Sequence, residues 1–488
     1  MRRWLRGFLL VLVASVFVVL SVVVGRAVVV EGPEKSVERV DVEVVAADRA
    51  VERLSQAVQY PTISPESPDE TPESFVELRE YLETEFPVFH EIAERQLAGD
   101  LTLHFTVEGT EPDAPHVVFL AHQDVVPVEE GTEDDWEHPP FSGAVADGFV
   151  WGRGTLDNKQ NVMALLEAAE TWFEEGGEPE RTLHFVFGHD EEIGGLDGAA
   201  TVAEGLESEG VDVETVYEEG LVITDGIIPG VDEPVALVGV TEKGYLTVEV
   251  TAEATGGHSS MPPRDLAVVR LARAIDKLEA NPRPAAIDGP ALAMFDRVAP
   301  EMDFLHRLLF RNLWLFEPLI LGELVAVPST NAAVRTTAAP TVLRAGDTEN
   351  VLPQQAVATV NFRLHPRDGI DEVIAGLEEL IGGEHITVEA VGEMRAEPSP
   401  VASMESPGFA AIEEAFAEVF GEIVLAPNVL VAATDSRHFT DLTDDIYRFT
   451  PVVLTDDDLE RIHGTNERIG VEAYLDLIRY YSRLLRRW

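Results

Sequence analysis

The sequence predicts an α/β fold, with a smaller α+β unit inserted into a larger domain and one apolar segment at the N-terminus. Strand-like apolar runs alternate with amphipathic helical stretches in the first half of the chain, as expected for a sheet with helices on its faces. Between about residues 243 and 366 the pattern changes to alternating strand-like runs that flank a helical stretch. The 488 residues are enough for roughly two to three domains.

The N-terminal segment has the composition of a membrane span. Arg2, Arg3 and Arg6 precede an uncharged run over residues 7–25, whose length fits a bilayer. Basic residues before this run and acidic residues after it predict that the N-terminus stays inside and the rest of the chain lies outside. Residues 25–27 match the cleavage site of a signal peptide poorly. We therefore expect a membrane-anchored protein with its main body outside the cytoplasm, or a secreted protein if the segment is cleaved.

The remaining boundaries follow from changes in the sequence pattern. Residues 303–327, inside the inserted unit, are apolar nearly all round, which predicts a buried helical pair or, alternatively, a surface that faces acyl chains or a membrane. The predicted parts are the N-terminal segment (1–30), an acidic linker (31–44), the first part of the larger domain (45–242), the inserted unit (243–366) and the second part of the larger domain (367–488).

The composition excludes several classes of function. The chain has 89 acidic and 35 basic residues, a net charge of -54, so nucleic acid would be repelled. The acid excess and the scarcity of lysine are typical of a protein that works in high salt, or of an acidic protein from a GC-rich genome. Cysteine is absent, which excludes disulfides and thiolate metal ligands.

A histidine and a carboxylate stand at the end of a predicted strand. The apolar run at 117–121 ends in His122 and Asp124, which point to the same side because alternate residues of a strand share a face. Open α/β sheets build their sites at the carboxyl ends of strands. A neutral imidazole is a good zinc ligand that a nearby carboxylate can orient, although the pair equally fits ordinary hydrogen bonding at a strand end.

Further carboxylates follow at other predicted element ends. Asp157 comes after a glycine-containing turn and before an amphipathic helix, so it is either an N-cap or a carboxylate that bridges two cations. Glu191 and Glu192 come between an apolar strand and a glycine pair, where one carboxylate can bind metal and the other can transfer protons. Glu218 follows another strand-like run, and His463 precedes a glycine far downstream. Together these nitrogen and oxygen donors suit two zinc ions.

Six motifs, in this order along the chain, resemble a known family. They are "AHQDVVPV", "WGRGTLDNK", "FGHDEEIGG", "EKGYLTVEVTAEATGGHSSMPP", "NVLPQQAVATVNFRLHP" and "RIHGTNERIG". The chain resembles the dizinc metallopeptidases that include carboxypeptidase S, aminoacylase-1 and succinyl-diaminopimelate desuccinylase. It is most similar to the branch of carboxypeptidase S and the secreted N-acyl-amino-acid hydrolase/synthase, which also begins with an apolar segment.

The resemblance implies a mixed-sheet zinc-peptidase catalytic domain, formed by residues 45–242 and 367–488, and a set of metal ligands in it. His122 would bind one zinc, oriented by Asp124, and Asp157 would bridge both ions with a cis peptide bond to the next residue. The resemblance also implies that Glu192 and His463 bind the second zinc and that Glu191 is the general base. Glu218 would be the remaining ligand, with Asp225 as the fallback.

The resemblance also implies that the inserted unit at 243–366 is a lid through which the protein forms a homodimer. His258 would reach the site of a partner subunit and stabilise the oxyanion there. Asn350 and Arg363 would hold oxygen atoms of the substrate, and the planar guanidinium suits a carboxylate. A turn residue beside a glycine pair is the alternative interpretation of His258.

The implied reaction is hydrolysis of an amide bond next to a free carboxylate, with two Zn²⁺ ions as cofactors, or Co²⁺ or Mn²⁺ in their place. The substrate would be a small peptide, as for a carboxypeptidase, or alternatively an N-acyl amino acid that is hydrolysed or synthesised. The apolar segment at 303–327 favours acyl chains. An exported binding protein that has lost the chemistry is the remaining alternative, although every ligand position holds a competent residue.

Overall fold

A computed structural model describes residues 2–29, 39–40, 42–64, 72–228 and 230–488. Most of the acidic linker that the sequence predicts at 31–44 lies outside these residues. The described strands are β1 (Glu94–Ala98), β2 (Thr102–Val107), β3 (His116–His122), β4 (Ala144–Ala146), β5 (Phe149–Trp151), β6 (Leu183–Gly188), β7 (Val213–Thr224), β8 (Val235–Glu242), β9 (Gly244–Glu253), β10 (Gly257–His258), β11 (Thr337–Ala345), β12 (Val351–Leu352), β13 (Gln355–Leu364), β14 (Ile386–Ala396), β15 (Val424–Leu430), β16 (Ile446–Leu454) and β17 (Arg468–Gly470).

The helices alternate with the strands through most of the chain. They are α1 (Arg2–Val28), α2 (Ala47–Val58), α3 (Glu73–Glu85), α4 (Pro87–Ile92), α5 (Lys159–Glu174), α6 (Ala199–Glu209), α7 (Ala267–Glu279), α8 (Gly289–Val298), α9 (Phe304–Phe310), α10 (Leu313–Leu324), α11 (Pro328–Val334), α12 (Ile370–Ile381), α13 (Pro407–Phe420), α14 (Asp456–Leu459) and α15 (Val471–Leu485). Short 3-10 turns lie between them, including one at Glu191–Ile193 that follows β6.

The first sheet has the strand order β1-β2-β6-β3-β7-β16-β8-β15 and is mixed. Strand β3 runs parallel to β6 and β7, and β16 runs parallel to β7, while β1 and β2 are antiparallel to their neighbours. The mixed α/β fold predicted from the sequence is confirmed. Because β3, β6 and β7 are parallel neighbours, their carboxyl ends lie at one edge of the sheet.

Both faces of the first sheet are covered, which explains the continuous apolar run at the start of β3. Val117 and Phe119 face a core shared with α2, α4, α5 and α15, whereas Val118 and Leu120 face a core shared with α6. Successive strand residues point to opposite faces, so a strand that is buried on both faces has no polar alternation. Helix α5 is buried along nearly its whole length.

The second sheet has the order β11-β13-β9-β14, and α7 and α12 pack on one of its faces. Its strands alternate buried and less buried residues, as expected for a sheet that is covered on one side only. The predicted end of the inserted unit at residue 366 is wrong. Helix α12 returns the chain so that β14 pairs with β9, and the unit therefore continues to Ala396.

Helices α8 to α10 pack on the first sheet rather than on the second one. Met294, Phe295 and Ile320 form a core with residues of β8 and β15. The predicted segment at 303–327 forms α9 and α10, but the expectation of a buried pair holds for one face only, because several large apolar side chains on the other face are exposed. Near them lies the end of α1, whose stretch Arg6–Val28 is long and apolar enough to cross a membrane.

Candidate metal centre

One edge of three parallel strands brings four of the predicted ligands together with Glu219, which was not predicted. His122 is the last residue of β3, Glu192 lies in the turn after β6, and Glu219 lies within β7. The turn before α5 supplies Asp157 at the same edge, and the loop before β17 supplies His463. These side chains come from five separate parts of the sequence, so only the fold of the first sheet brings them together.

The first ligand group consists of His122, Asp157 and Glu219. The Nε2 atom of His122 lies 2.9 Å from Asp157 Oδ1 and 3.0 Å from Glu219 Oε1. On the other side of the ring, Nδ1 of His122 lies 3.2 Å from Asp124 Oδ1. Asp124 is fully buried and is fixed in turn by the hydroxyl of Ser64, which donates to its Oδ2 at 2.6 Å. Asp124 therefore orients the ring so that Nε2 faces the carboxylates.

The second ligand group consists of Asp157, Glu192 and His463. The Nε2 atom of His463 lies 3.0 Å from Asp157 Oδ2 and 3.2 Å from Glu192 Oε2. Asp157 thus presents one carboxylate oxygen to each group, which is the arrangement that a bridging ligand requires. Its peptide bond to Asn158 is cis, as the resemblance implies.

The residues present fit a pair of divalent cations. In each group, one ligand atom from each of three residues lies within 4.8 Å of the others. All of these donors are imidazole nitrogens or carboxylate oxygens, which zinc, cobalt and manganese accept. Glu192 Oε1 is buried and has no hydrogen-bond partner among the described residues, so one lone pair of the cluster is left for a further partner.

The pKa values at this edge show how strongly the carboxylates are desolvated and crowded. Burial raises the pKa of the Glu219 carboxyl to about 7, and the nearby Asp157 carboxylate adds to this effect. Hydrogen bonds to Asp157 and Glu192 raise the pKa of His463 to about 10. Without a cation, protons therefore stabilise this concentration of negative charge, and a bound cation would take over that role.

The structure corrects the sequence prediction for Glu218. Glu218 and Glu219 are consecutive residues of β7 and therefore point to opposite faces of the sheet. The carboxylate of Glu218 accepts a hydrogen bond from the backbone N–H of Ser436 at 2.7 Å, on the side away from His122. The fallback, Asp225, is exposed and lies beyond the end of β7. The carboxylate of this strand that lies beside His122 and Asp157 is that of Glu219, the second glutamate of "VYEEGL".

Glu191 lies where a general base would act. It lines the same cavity of about 400 Å³ as Asp157, Glu192 and Glu219. Burial raises the pKa of Glu191 well above its ordinary value, and the carboxylates of Asp435 and Glu219 reinforce this shift. A carboxylate that holds a proton more tightly than usual is suited to accept one from an attacking water molecule.

Two arginines line the same cavity, and the sequence analysis identified only one of them. The guanidinium of Arg363 stacks 4.6 Å from the ring centre of Tyr245, and Arg437 Nη2 donates to the carbonyl of Gly194 at 2.7 Å. Burial and the positive charge of Arg437 lower the pKa of Arg363. Among the described residues, neither guanidinium forms a salt bridge within 4.0 Å, and the nearby carboxylate of Glu242 acts on Arg363 only electrostatically. An anionic group in the cavity would therefore be bound by both.

Glu467 is a second residue that the sequence analysis did not single out, although it belongs to the motif "RIHGTNERIG". Its Oε1 accepts hydrogen bonds from the backbone N–H groups of Gly154 at 2.9 Å and Leu156 at 2.8 Å. Its Oε2 accepts from Arg153 Nη1 at 2.6 Å. Glu467 therefore holds the turn that delivers Asp157, and it is a positioning residue rather than a ligand.

His258 and Asn350 lie outside the cavity in this chain. His258 belongs to β10 and Asn350 directly precedes β12, and the N–H of Ser259 donates to the carbonyl of Asn350 at 3.0 Å. Both side chains are exposed, and neither lines the cavity that Arg363 shares with the ligand groups. Of the three predicted substrate contacts on the inserted unit, one chain brings only Arg363 to the metal centre.

Known proteins are similar to this chain in sequence or in fold. N-fatty-acyl-amino acid synthase/hydrolase PM20D1 of Xenopus tropicalis is 41% identical over 439 residues, which cover 89% of this chain and 85% of that protein. Probable carboxypeptidase S-like 2 of Dictyostelium discoideum is 37% identical over 440 residues, with 89% and 84% covered. Among solved structures, the M20 family metallo-carboxypeptidase Sso-CP2 of Sulfolobus solfataricus has the same fold, with a TM-score of 0.63, 19% identity, and 90% and 99% of the two chains covered.

The match to a family profile agrees with these relatives. The profile of Peptidase family M20/M25/M40 matches residues 118–487, which is most of the chain. The resemblance predicted from the six ordered motifs is confirmed. The chain belongs to the peptidase family M20/M25/M40.

Proposed function

We propose that this protein hydrolyses an amide bond next to a free carboxylate, with two divalent cations, preferably Zn²⁺ and otherwise Co²⁺ or Mn²⁺, at the metal centre. The single observation that carries the proposal is the pair of ligand groups that share Asp157. Glu191 and two unpaired arginines line the same cavity. An exported binding protein without catalysis is a weaker account, because ligands, base and anion-binding residues are all present together.

The first role of this chain's residues is to place the cations and a water molecule. His122, Asp157 and Glu219 would hold one ion, and Asp157, Glu192 and His463 the other. When bound, the cations would lower the pKa of a shared water molecule and polarise the carbonyl group of the substrate. Asp124 and Glu467 would keep the ring of His122 and the turn of Asp157 in position.

The second role is proton transfer and substrate orientation. The Glu191 carboxylate would accept a proton from the attacking water and return it to the leaving amine, as a general acid–base residue does. Arg363 and Arg437 would bind the carboxylate next to the amide bond, which sets the polarity of the substrate in the cavity. A carboxypeptidase has this specificity, because it recognises the C-terminal carboxylate of a peptide.

The aminoacylase alternative is favoured by a different observation. The cavity that holds the ligands also has an apolar wall, formed by Val222, Leu430, Val452, Leu454 and Ile462. This wall suits a long apolar acyl group at least as well as the side chain of a peptide. An N-acyl amino acid, hydrolysed or synthesised at the same metal centre, is therefore the second candidate substrate class.

The test is a comparison of matched substrates on the full chain with its metal quantified in the same sample. An N-blocked dipeptide and a long-chain N-acyl amino acid with the same C-terminal residue are assayed beside versions of each with an amidated carboxyl group. We expect hydrolysis of at least one free acid, little hydrolysis of the amidated versions, and loss of activity after chelation. Equal hydrolysis of free and amidated substrates, or activity without metal, would contradict the proposal.

We also propose how the chain is placed and assembled. Helix α1 would anchor the protein in a membrane with its main body outside the cytoplasm, or would act as a signal peptide if it is cleaved. The inserted unit would act as the lid and join two subunits, so that His258 and Asn350 of one subunit complete the site of the other. The exposure of both side chains supports this assignment, because neither has a role in the cavity of its own chain.

A further inference from the structure

We propose that the exposed face of α9 and α10 docks into the outer leaflet of the membrane that α1 crosses. This apolar face, called the α9–α10 face below, consists of Phe304, Leu305, Trp314, Leu315 and Leu319. The inference rests on the proposed membrane anchor but goes beyond it, because a single anchor does not require the main body of the protein to touch the lipid. It gives the metal centre a fixed orientation toward the membrane surface.

The α9–α10 face is apolar and large. Leu305, Trp314 and Leu319 are 62%, 56% and 57% exposed. The opposite face of the same helices is already packed, because Ile320 is buried in a core with Phe295 and strand residues of the first sheet. Folding of α9 and α10 is therefore satisfied without the exposed side chains, and their exposure points to contact with something outside the chain.

The position of α1 identifies the partner as a lipid bilayer. Val23 and Ala27, in the last turns of α1, are buried, and the side-chain amide of Asn312 donates to the carbonyl of Val23 at 3.0 Å. Asn312 lies between α9 and α10, so the contact joins the end of the candidate span to these two helices. Five residues of α1 follow Val23, which places this contact roughly 8 Å from the end of the apolar stretch. A helix pair held there lies at the membrane interface.

The charge of the segment agrees with a neutral lipid surface. Residues 304–324 carry two arginines, Arg307 and Arg311, and two glutamates, Glu317 and Glu323, although the whole chain has a net charge of -54. A strongly acidic protein gains nothing from the attraction that brings basic segments to anionic lipids. Its contact with lipid must be apolar, and an indole such as that of Trp314 is suited to the boundary between hydrocarbon and headgroups.

The docked face is connected to the metal centre through the chain. The backbone N–H of Asp303, at the start of α9, donates to the carbonyl of Gly230 at 2.8 Å. Gly230 belongs to the loop that follows β7, the strand that carries Glu219. Docking would therefore hold the first sheet in one orientation and keep the cavity close to the leaflet in which apolar acyl substrates dissolve.

The absence of cysteine makes a direct test practical, because each engineered cysteine is the only attachment point for a spin label. The full chain is reconstituted in phosphatidylcholine vesicles as the variants Leu319→Cys, Leu97→Cys and Val16→Cys. Leu97 is a matched control, since it is also an exposed leucine, at 46%. It lies on β1, the edge strand opposite β15, and these two strands are roughly 30 Å apart across the first sheet. Val16 lies inside the candidate span.

Each label is scored by its accessibility to oxygen, which concentrates in lipid, relative to a water-soluble nickel complex. We expect the ratio at Leu319 to be several-fold higher than at Leu97, to approach the ratio at Val16, and to stay unchanged in high salt, because apolar contact is not screened. A second change, Trp314→Glu, should return the Leu319 label to an aqueous ratio. Leu97→Glu should leave that ratio unchanged.

Three outcomes would overturn the inference, and they can be told apart. An aqueous ratio at Leu319 with a lipid ratio at Val16 would show an anchored protein that does not dock. An aqueous ratio at Val16 as well would remove the anchor itself. Spin–spin broadening at Leu319 that grows with the protein-to-lipid ratio would place a second copy of the chain on this face. Turnover measured on the same vesicles tests the proposed hydrolase independently of all three results.

Discussion

The two large sheets place their candidate functional residues in different ways. At the edge of the first sheet, the side chains of His122, Asp157 and Glu219 converge to about 3 Å within one chain and are mostly buried. In the inserted unit, His258 on β10 and Asn350 just before β12 are exposed and lie outside the cavity. The first sheet therefore brings the candidate metal ligands together within one chain, and the second sheet adds Arg363 to the same cavity. His258 and Asn350 lie outside that cavity.

This difference follows from the strand directions. Parallel neighbours end at the same edge, so the residues at the ends of β3 and β6 are necessarily close, and the turn before α5 adds Asp157 at the same edge. The antiparallel ladder of β10 and β12 is an extension with few contacts, and it projects its side chains into solvent. The candidate metal ligands thus lie where parallel strands end, whereas His258 lies on an exposed ladder outside the cavity, where the proposed substrate contact would need a second subunit.

The largest expected effect concerns Glu191, at the edge of the first sheet. Glu191→Gln should lower kcat by about 10²–10⁴-fold, the usual contribution of a general base, because the amide cannot accept the proton of water. The metal content, measured by inductively coupled plasma mass spectrometry, should not change, since Glu191 is not in either ligand group. Full activity in a metal-replete Glu191→Gln protein would rule out this role.

The next largest effect concerns His258, on the exposed ladder of β10 and β12. His258→Ala should lower kcat by about 10²–10³-fold if the imidazole is an oxyanion donor. Mixing this variant with Glu191→Gln should restore about a quarter of the wild-type activity, because half of the dimers in a two-fold assembly are mixed and one of their two sites is intact. Loss of activity without any recovery on mixing would mean that His258 acts within its own chain.

A matched pair of substitutions sharpens the metal assignment on β7. Glu219→Gln should weaken metal binding by at least about 10–100-fold, the scale that changes around a metal site produce. Glu218→Gln should leave metal affinity nearly unchanged, because this side chain accepts a hydrogen bond from Ser436 on the other face of the strand. Competition with a fluorescent chelator measures both affinities, and a reversed order would restore the original sequence prediction.

A smaller effect separates substrate orientation from chemistry. Arg437→Lys should raise KM for substrates with a free carboxylate by about tenfold, since one charge-assisted hydrogen bond of the planar fork is lost. The KM for the amidated version of the same substrate serves as the control and should not change. Equal increases for both substrates would show that Arg437 supports the cavity without binding the carboxylate.

A further effect is the pH dependence of metal binding. Hydrogen bonds to Asp157 and Glu192 raise the pKa of His463 to about 10, so this ring carries a proton at pH 7 in the metal-free protein. An imidazole must be neutral to bind a metal ion, so metal binding would release this proton. Metal affinity should therefore rise with pH, by up to about tenfold per unit below pH 10. Calorimetry in buffers of different ionisation enthalpy counts the released protons. An affinity that does not change with pH would contradict this coupling.

The sequence was sufficient for the general fold and for most of the residues that the structure brings together at the candidate metal centre. Apolar runs that alternate with helical stretches predicted the α/β fold, and polar residues at the ends of such runs identified His122 and Glu192. Asp157 was identified from a glycine turn before a helix, and His463 from its place before a glycine in the last of the six motifs. This works because the carboxyl ends of parallel strands must meet, so position relative to a strand is already spatial information. The family predicted from the ordered motifs is confirmed by the match to the family profile and by the relatives.

The errors arose where a shift of one residue or a long-range contact decided the outcome. Two adjacent glutamates on β7 have the same composition, and only the register of the strand determines which one faces His122. Arg437 and Glu467 could not be predicted because each acts through a contact that is distant in sequence. Arg437 contacts Gly194, and Glu467 contacts the turn before Asp157. The end of the inserted unit was missed because β14 pairs with a strand far upstream.

The most direct test of the central claim is an anomalous diffraction experiment on crystals of the full chain grown with zinc. The account predicts two anomalous peaks at the zinc absorption edge, one among His122, Asp157 and Glu219 and the other among Asp157, Glu192 and His463. Both should disappear in Asp157→Ala, because that carboxylate belongs to both groups. Peaks at other places, or none at this edge of the first sheet, would contradict it.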